Sequence, residues 1–507
     1  MNILNVEKYT KRHLLMSFIF YLRKGCDKVK LSIINALNKY INENNIRFHM
    51  PGHKGHCNDY DILKQISENL YSLDLTEVDG TDDLHSPESS IKESQEDIAK
   101  IYNAKESFYI VNGSTAGIYS MILSCTNKGD KIIIQRNCHR SVFMAAYLGS
   151  LETEYITPSV LDDFSFAASI SPKDVENSLK ENPDAKAVVL TSPTYYGTCI
   201  NIKEISKITN KYGVLLLIDA AHGAHFPFNK NLPNNPIVEG ADMEVVSFHK
   251  TLPSLTQTGV LNVSKNAIDK IDIGKLKFML SLYQSTSPSY IFLSSMEAAA
   301  YIMKKDGDVL LNNVIEYIND FKNKIKKHDF YKVLGKEHIG QSNINNLDDT
   351  RLVISSKIGG AKLSQILREN YQIQVEMADD KNIIIIGSVF DKKYYYERLY
   401  NALVEIESNY KDLKWNNKKY EILDYTYKKI YTIEKGYSLE KETILLKDSI
   451  GKVAGEIVAP YPPGIPILLP GEEITYNKIK CIENCKDLGI RFNGPEDKSL
   501  NTIKIIK

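Results

Sequence analysis

Short apolar runs alternate with longer amphipathic stretches between about residues 107 and 263 of the chain. The runs are rich in Val, Ile and Leu, which is typical of strands buried on both faces, and the stretches between them carry apolar residues at helical spacing. The predicted strands are Phe108–Val111, Lys131–Gln135, Ala187–Thr191, Val214–Asp219, Glu244–Ser247 and Gly259–Val263. The predicted helices are Thr115–Cys125, Ser141–Leu148, Pro172–Asn182 and Ile202–Tyr212. This order predicts an α/β fold with a mostly parallel sheet covered by helices on both faces.

The pattern also predicts smaller units around this sheet. Apolar residues at helical spacing predict a helix at Leu31–Asn45, a second at Pro288–Lys304 and a long amphipathic connector at Asp308–Lys327. A small α/β domain then follows, with predicted strands at Arg351–Ser355, Gln372–Met377 and Ile383–Gly387 and helices at Ala361–Glu369 and Lys392–Glu407. We therefore predict an N-terminal arm and helix at residues 1–50, a large domain at 51–305, a small α/β domain at 306–410 and a C-terminal α+β domain at 411–507.

Charge and cysteine content narrow the class of protein. Lys and Arg together number 63 and so do Asp and Glu, so no overall charge favours nucleic acid or a membrane surface as a partner. The seven cysteines are scattered and odd in number, which favours a reducing compartment and a cytoplasmic protein. The apolar run at Leu14–Leu22 is too short to cross a bilayer, which takes about 20 residues. We expect neither a nucleic acid nor a membrane partner.

Polar residues of chemical interest lie at the carboxyl ends of the predicted strands, where open α/β sheets bind ligands. They are Ser114, His139, Tyr195, Asp219 and Lys250. A desolvated lysine forms a Schiff base readily, and a buried aspartate on an upstream strand is what pyridoxal 5′-phosphate (PLP) requires at its ring nitrogen. Read alone, a His-Lys pair is more often a surface feature. Read with Asp219, Lys250 is predicted to bind PLP.

The segment Asn112–Ala116 joins a predicted strand to a predicted helix. Free backbone N–H groups at a helix N-terminus, together with two hydroxyls at Ser114 and Thr115, suit a phosphate group. The alternative is an ordinary N-cap, which Ser and Thr also provide. The two interpretations are compatible, and we predict a phosphate site here.

Five blocks of sequence resemble those of the ornithine/lysine/arginine decarboxylase family. They are Arg47–Gly55, Gln135–Ser141, Asp219–His225, Ser247–Pro253 and Pro460–Glu472. The blocks lie in the family's order, and the resemblance spans about residues 30 to 507. It implies a PLP-dependent enzyme of fold type I, the aspartate-aminotransferase-like fold, that removes the α-carboxylate of a basic amino acid. The expected form is the short one, without the additional N-terminal domain of large enterobacterial members.

The resemblance also implies catalytic roles. Lys250 would hold the cofactor, Asp219 would pair with its ring nitrogen, and the ring of His139 would stack on its face. After carbon dioxide leaves, the substrate's α-carbon must be protonated, with Lys250 or His249 as the donor. These four residues are the predicted catalytic groups.

The same resemblance gives the cofactor contacts. The loop Gln284–Tyr290 matches the family loop that reaches the neighbouring subunit's cofactor phosphate, so we expect a homodimer with shared active sites. The predicted cofactor contacts are Ser114, Thr115, His139, Asp219, His222, Ser247, His249, Lys250 and Ser287.

The far end of a basic substrate requires an acidic or carbonyl-rich pocket. The segment Leu73–His85 carries five carboxylates, although a run of charge is usually a solvated face. We predict substrate contacts from Asp79, Asp82 and, in the C-terminal block, Glu472.

We expect no metal site. His49, His53, His56 and Cys57 are ligand types close together, but the Pro-Gly pair between the first two histidines breaks helical spacing.

These observations predict a decarboxylase that converts arginine to agmatine and carbon dioxide in polyamine biosynthesis, with lysine or ornithine as alternative substrates. An aminotransferase is a second hypothesis, and the absence of a well-placed arginine for a second substrate carboxylate argues against it. A non-catalytic PLP-fold protein is a third, although such a protein has no chemical need of Lys250 and Asp219.

Overall fold

A computed structural model describes residues 31–507 except Cys57, residues 416–425 and residues 462–463. The chain consists of two units, residues 1–45 and residues 46–507, each defined by the contacts within it. Of the first unit the structure describes the helix Ser32–Asn42, which lies within the range predicted from apolar spacing. The predicted N-terminal arm, including Leu14–Leu22, lies outside the described residues.

Seven strands of the second unit form the sheet that positions the site. In spatial order they are Glu106–Ile110, Gly259–Val263, Met243–Val246, Leu215–Asp219, Ala187–Thr191, Lys131–Gln135 and Glu152–Ile156. Gly259–Val263 runs antiparallel to both neighbours, and the other pairs are parallel. The predicted mostly parallel α/β sheet is confirmed. The pattern missed the edge strand Glu152–Ile156, because it is only partly buried and its first three residues are polar.

Helices cover both faces of this sheet because its strands are apolar on both sides. Along Lys131–Gln135, Ile133 packs into one buried core and its neighbours Ile132 and Ile134 pack into the other. One core is closed by the helices Ser90–Tyr102, Pro172–Glu181 and Ile202–Tyr212. The other is closed by Gly113–Ser124, Arg140–Leu148 and Ile273–Tyr283.

A continuous helix of 36 residues, Tyr290–Ile325, replaces the predicted helix and connector. It continues through Gly307, where a methyl group would lie 3.3 Å from Cβ of Phe228. The glycine therefore lets the helix pass close to the turn at Phe226–Phe228, and it does not end the helix.

The long helix leads to a second, antiparallel sheet. Its strands are, in spatial order, Tyr331–Val333, Arg351–Ser356, Asn382–Ile386 and Met377–Ala378, and its helices are Gly360–Tyr371 and Lys393–Asn409. The single strand predicted at Gln372–Met377 is two strands. Ile373–Val375 pairs in parallel with Ile46–Phe48, whereas Met377–Ala378 belongs to the antiparallel sheet. Glu376 lies at the junction between them.

The C-terminal residues form small paired strands and two helices. Lys441–Leu445 pairs with Thr502–Ile506, and Ala459–Tyr461 pairs with Arg491–Asn493. The remaining elements are the helices Asp61–Glu68, Phe248–Thr251, Ile433–Ser438 and Tyr476–Asp487, the strand pairs Ser159–Leu161 with Phe166–Ser169 and Thr198–Cys199 with Asn346–Leu347, and 3₁₀ turns at Phe226–Phe228, Lys336–His338, Gln341–Asn343 and Leu446–Asp448. Among the described helices, none combines the length and apolar content needed to cross a membrane.

Candidate active site

Lys250 lies in the four-residue helix Phe248–Thr251, directly after the strand Met243–Val246. Its Nζ is 3.0 Å from Nε2 of His222. Burial lowers the pKa of Lys250, and the negative charges of Asp219 and Glu376 oppose that shift only in part. A lysine held closer to its neutral form is the nucleophilic amine that Schiff-base chemistry requires.

Asp219 is the last residue of the strand Leu215–Asp219 and is buried. Its Oδ1 accepts a hydrogen bond of 3.1 Å from the backbone N–H of Ala221. Burial raises the pKa of Asp219, while the charge of Lys250 and the Ala221 bond lower it. A cation placed against this carboxylate would stabilise its charged form, and a protonated pyridine nitrogen is such a cation.

His222 connects Lys250 to Arg351. Its Nδ1 is 3.3 Å from Nη2 of Arg351, and its ring packs edge-on against Tyr195 with centroids 4.8 Å apart. A guanidinium only donates hydrogen bonds, so Nδ1 must accept and a neutral imidazole carries its proton on Nε2. Burial, followed by the nearby cations Lys250 and Arg351, holds the pKa of His222 well below its usual value. His222 is therefore neutral, and its Nε2–H group can donate to Lys250 only when the Lys250 amine is unprotonated.

His139 caps the helix Arg140–Leu148. Its Nδ1 accepts from the backbone N–H of Ser141 at 3.3 Å and lies 2.9 Å from the Ser141 hydroxyl. Burial and the charge of Lys250 lower the pKa of His139 to about 3, so the ring is neutral. Gly464 lies against it, since a methyl group there would come within 3.6 Å of Nε2.

The predicted phosphate site lies at the N-terminus of the helix Gly113–Ser124. The Ser247 hydroxyl donates to Oγ of Ser114 over 2.8 Å, which brings two hydroxyls from different elements together. Gly259 keeps this corner open, because a methyl group there would lie 2.8 Å from the Val246 carbonyl oxygen and 3.5 Å from the Ser114 nitrogen. Two hydroxyls beside a helix N-terminus fit a phosphate.

The signature segment Arg47–Gly55 packs directly against the Lys250 helix. The Gly52 N–H donates to the His249 carbonyl oxygen at 2.7 Å, and a methyl group on Gly52 would lie 2.4 Å from the Leu252 carbonyl oxygen. Lys54 anchors the segment by donating to the carbonyl oxygens of His49 at 2.7 Å and Ile386 at 3.0 Å. The segment therefore supports the backbone that carries Lys250.

Comparison with known proteins shows which family the chain resembles over most of its length. Residues 32–352 match the major domain of the Orn/Lys/Arg decarboxylase family, and residues 419–495 match its C-terminal domain. The chain belongs to this family. It is 32% identical to an arginine decarboxylase of Bacillus subtilis (94% of this chain, 97% of the relative) and 34% identical to one of Halalkalibacterium halodurans (94% and 97%). The expected family resemblance is confirmed.

Solved structures support the fold. A crystal structure of the Francisella novicida lysine decarboxylase superposes with a TM-score of 0.74 at 20% identity, covering 93% of this chain and 80% of that one. At that identity the likeness concerns the fold, and it confirms the fold type I architecture of this family member.

The hydrogen bond made by the His249 ring does not suit the expected role of a proton donor. Its Nδ1 is 2.8 Å from the Thr258 carbonyl oxygen, so Nδ1 carries the proton and Nε2 is an acceptor. Burial lowers the pKa of His249 to about 4. A neutral His249 has no proton on Nε2 to deliver, which leaves Lys250 as the better candidate.

Two of the three predicted substrate contacts are already held in other bonds. The Asp82 carboxylate accepts four backbone N–H groups, from Asp83, Glu88, Ser89 and Ile91, at 2.9–3.0 Å. Glu472 is buried, and its carboxylate accepts hydrogen bonds from Arg136, Lys478 and the Leu469 N–H. We correct both assignments, because these carboxylates hold the fold together. Asp79 is exposed, and its role stays a prediction.

Two of the predicted cofactor contacts lie at the surface of the chain. Thr115 and Ser287 are exposed, and Ser287 lies between the helices Ile273–Tyr283 and Tyr290–Ile325. The proposed roles of both stay predictions.

The histidines of the signature segment use separate partners. Nδ1 of His49 lies 2.5 Å from the Met50 carbonyl oxygen, whereas Nδ1 of His53 accepts from the Gly55 N–H at 3.0 Å. Cys57 lies outside the described residues. Within the described part of the chain, no group of three or more His, Cys, Asp or Glu side chains is arranged to hold a metal ion.

Two residues near Lys250 were missed from the sequence, Arg351 and Glu376. The Tyr195 hydroxyl donates to one Glu376 oxygen, and the Met50 N–H donates to the other at 2.8 Å. Each is a single charged residue more than 100 positions from Lys250, without a local motif. The only available signal was their place at the ends of predicted strands.

Proposed function

We propose that the chain is a PLP-dependent decarboxylase of a basic amino acid, with arginine as the preferred substrate and agmatine and carbon dioxide as products. The observation that carries the proposal is the junction of Lys250, Asp219 and His222 at the carboxyl edge of the sheet. The arginine preference is supported by relatives named arginine decarboxylase at 32–34% identity, against 20% for the solved lysine decarboxylase.

The residues present fit the cofactor. Asp219 would hold the ring nitrogen, the hydroxyls of Ser114 and Ser247 would bind the phosphate, and His139 would lie against the ring. When bound, PLP supplies an electron sink for the bond between the substrate's α-carbon and its carboxylate. Lys250 would bind the cofactor and later deliver a proton to the α-carbon.

We propose Glu376 as the contact for the substrate's cationic end. It is the second acidic group, after Asp219, whose negative charge acts on Lys250. Its oxygens are oriented by Tyr195 and the Met50 N–H, and carboxylate oxygens can accept more than one hydrogen bond each. A guanidinium donates to such a carboxylate in a forked geometry.

The experiment is a competition. The purified protein with PLP is given equal concentrations of arginine, lysine and ornithine, and the amines are separated by chromatography, with Lys250→Ala as the inactive control. Agmatine as the main product supports the proposal. Cadaverine or putrescine as the main product would keep the decarboxylase and refute the arginine preference.

Arg351 supports an alternative function, that of an aminotransferase. A buried guanidinium beside Lys250 can hold a substrate carboxylate, and the sequence alone indicated no such arginine. Every α-amino acid has an α-carboxylate, so Arg351 is compatible with either reaction. The products separate them. Transamination needs a 2-oxo acid as acceptor, keeps the carboxylate on the product and releases no carbon dioxide.

We further propose a cytoplasmic homodimer that serves polyamine biosynthesis, in which the loop carrying Ser287 completes the partner's site. The exposure of this loop and its resemblance to the family's shared loop support the dimer. Light scattering of the purified protein should give twice the mass of one chain, and a monomer with full activity would refute the shared site.

A further inference from the structure

A buried carboxylate, that of Asp348, lies near the Arg351 guanidinium without pairing with it. Oδ2 of Asp348 is 3.9 Å from Nη2 of Arg351, which is too long for a hydrogen bond, and both side chains are at most 1% exposed. Among the described residues, Oδ2 of Asp348 has no hydrogen-bond partner. Bonds between a carboxylate and a guanidinium are among the strongest hydrogen bonds in proteins, so the fold must hold these two groups apart.

The other oxygen of Asp348 is held by three donors. Oδ1 accepts from the Thr350 N–H at 2.9 Å, the Thr350 hydroxyl at 2.6 Å and Nε2 of His225 at 3.1 Å. The Thr350 hydroxyl gives its one hydrogen to Asp348, so it accepts from Nε2 of His225 at 3.0 Å. Nε2 is therefore the protonated nitrogen of His225, and it donates towards both neighbours.

The Asp348 carboxylate carries its charge in this setting. Burial raises its pKa, but the interactions with His225, followed by the charge of Arg351, lower the pKa of Asp348 to about 2. The negative charge also acts on Lys322 of the long helix Tyr290–Ile325. A charged Asp348 would attract Arg351 strongly, and the donors on Oδ1 are what restrain it.

His225 reaches Asp348 from a different part of the fold. It ends the block Asp219–His225, which follows a strand of the main sheet, whereas Asp348 precedes the strand Arg351–Ser356 of the second sheet. The His225 side chain is 1% exposed, and its ring packs against Phe226 with centroids 4.9 Å apart. A ring packed this tightly has little room to turn, so it fixes the carboxylate in place.

Because Asp348 is held, Arg351 directs a donor to His222. Nη2 of Arg351 lies 3.3 Å from Nδ1 of His222, and Nε2 of His222 lies 3.0 Å from Nζ of Lys250. A guanidinium only donates, so this contact keeps the proton of the neutral His222 ring on Nε2. An Nε2–H group can donate only to an unprotonated Lys250. The contact with Arg351 therefore favours the neutral lysine.

We infer that His225 is a positioning residue for Lys250. It holds Asp348 away from Arg351, and Arg351 therefore stays on His222. Without this donor, a shift of about 1 Å would bring Asp348 into hydrogen-bond distance of Arg351. The guanidinium would then pair with the carboxylate in preference to a neutral imidazole. The ring of His222 would be free to carry its proton on Nδ1 and to accept from a protonated Lys250, which raises the pKa of the lysine.

Other charged or titratable groups also surround Lys250, namely Asp219, Glu376, Arg351, His139 and His249. Burial lowers the pKa of His139 to about 3 and that of His249 to about 4, so both rings stay neutral above about pH 5. The His225 ring bonds to Asp348 and Thr350 and, within the described part of the chain, to none of these groups. A change at His225 therefore acts on Lys250 by way of Asp348.

The test uses the PLP-loaded protein, and so it rests on the proposed function. The pH midpoint of the change in cofactor absorbance reports the protonation of the Lys250 nitrogen. His225→Phe keeps a ring and removes the donor, so its midpoint should rise by about 1 pH unit. His328→Phe is the matched control, because it breaks another pair of histidine and carboxylate, with Glu407, and should leave the midpoint unchanged.

A double variant separates positioning from a general loss of structure. In His225→Phe with Asp348→Asn, the side chain at position 348 has no charge with which to capture Arg351. Most of the shift in midpoint should therefore be reversed, even if the double variant is less stable than His225→Phe. A double variant that keeps the full shift would overturn the inference, because the effect would then not pass through Asp348.

Two further results also decide. A His225→Phe midpoint equal to that of the wild type would refute the positioning role. If His225→Phe does not fold, Asp348→Glu takes its place, since the longer side chain reaches the guanidinium, and an unmoved midpoint in that variant refutes the role. A wild-type protein that binds no PLP would refute the proposed function itself, whereas the other results concern His225 alone.

Discussion

Residues with a local motif could be predicted from the sequence, and isolated ones could not. Lys250 and Asp219 follow strand-like runs and lie in recognisable blocks, and the structure places both at the carboxyl edge of the sheet. Arg351 and Glu376 reach the same region through strand pairing outside the main sheet, which no local pattern reveals. The assignments of Asp82 and Glu472 failed because sequence does not show which carboxylates the backbone and buried cations already occupy.

The variant Asp219→Asn tests the role of the Asp219 carboxylate, at the scale of a single residue. An amide has no negative charge with which to stabilise a protonated ring nitrogen, so kcat should fall at least about 100-fold. The thermal unfolding midpoint should change little, because only the Ala221 contact depends on this side chain among the bonds described here. Steady-state kinetics and a melting curve measure both, and a variant with near wild-type kcat would refute the role of Asp219.

Glu244 predicts a pH dependence of stability. It is fully buried in the strand Met243–Val246, accepts from Nδ2 of Asn262 at 2.8 Å, and has a pKa raised to about 8 by burial. The folded protein keeps this proton up to about pH 8, whereas the unfolded chain releases it near the ordinary value of 4.5. The folded state therefore loses stability as pH rises from about 4.5 to 8.

Glu244→Gln removes that titration and keeps an oxygen for Asn262. Its melting temperature should exceed that of the wild type increasingly as pH rises from 5 to 8, as followed by circular dichroism. Glu96→Gln, at an exposed position on the helix Ser90–Tyr102, is the matched control. Parallel curves for wild type and Glu244→Gln would contradict the buried neutral acid.

At the scale of elements, periodicity predicted the main sheet because its inner strands are apolar on both faces. It predicted one strand at Gln372–Met377, because an alternating polar and apolar pattern does not show that its two ends pair with different partners. That division matters for function. It places Glu376 beside Met50 and brings the signature segment onto the Lys250 helix.

Gly52→Ala tests the packing of those two elements. Its methyl group would meet the Leu252 carbonyl oxygen at 2.4 Å, so the segment must shift, at a cost of about 1–3 kcal/mol in unfolding free energy. Activity should fall with it because the backbone of Lys250 moves. Gly274→Ala, whose methyl group would meet only the Asp272 side chain at 3.2 Å, is the control for urea unfolding. Equal stability of the two variants would contradict this packing.

At the scale of the whole molecule, a buried ion network joins the C-terminal residues to the large sheet. Arg136 follows the strand Lys131–Gln135 and lies three residues before His139, and Glu472 bridges it to Lys478 at 3.1 and 2.9 Å. All three side chains are at most 2% exposed. We propose residues 411–507 as a C-terminal domain that supports the turn carrying His139.

Glu472→Gln should therefore destabilise the protein by about 3–5 kcal/mol, because it leaves two buried cations without their anion. Activity should also fall as the turn before His139 loosens. Glu473→Gln, which breaks only the more exposed pair with Lys428, is the matched control. Urea unfolding and turnover measure the two effects, and a Glu472→Gln variant as stable as its control would refute the network.

The fate of the substrate's carboxylate distinguishes decarboxylation from transamination most directly. The purified protein is loaded with PLP and given arginine labelled with ¹³C at the carboxyl carbon, and gas and solution products are analysed by mass spectrometry. A PLP-dependent arginine decarboxylase should release labelled carbon dioxide and unlabelled agmatine in equal amounts, and Lys250→Ala should form neither. Label retained in a 2-oxo acid, or agmatine formed by Lys250→Ala at the wild-type rate, would contradict it.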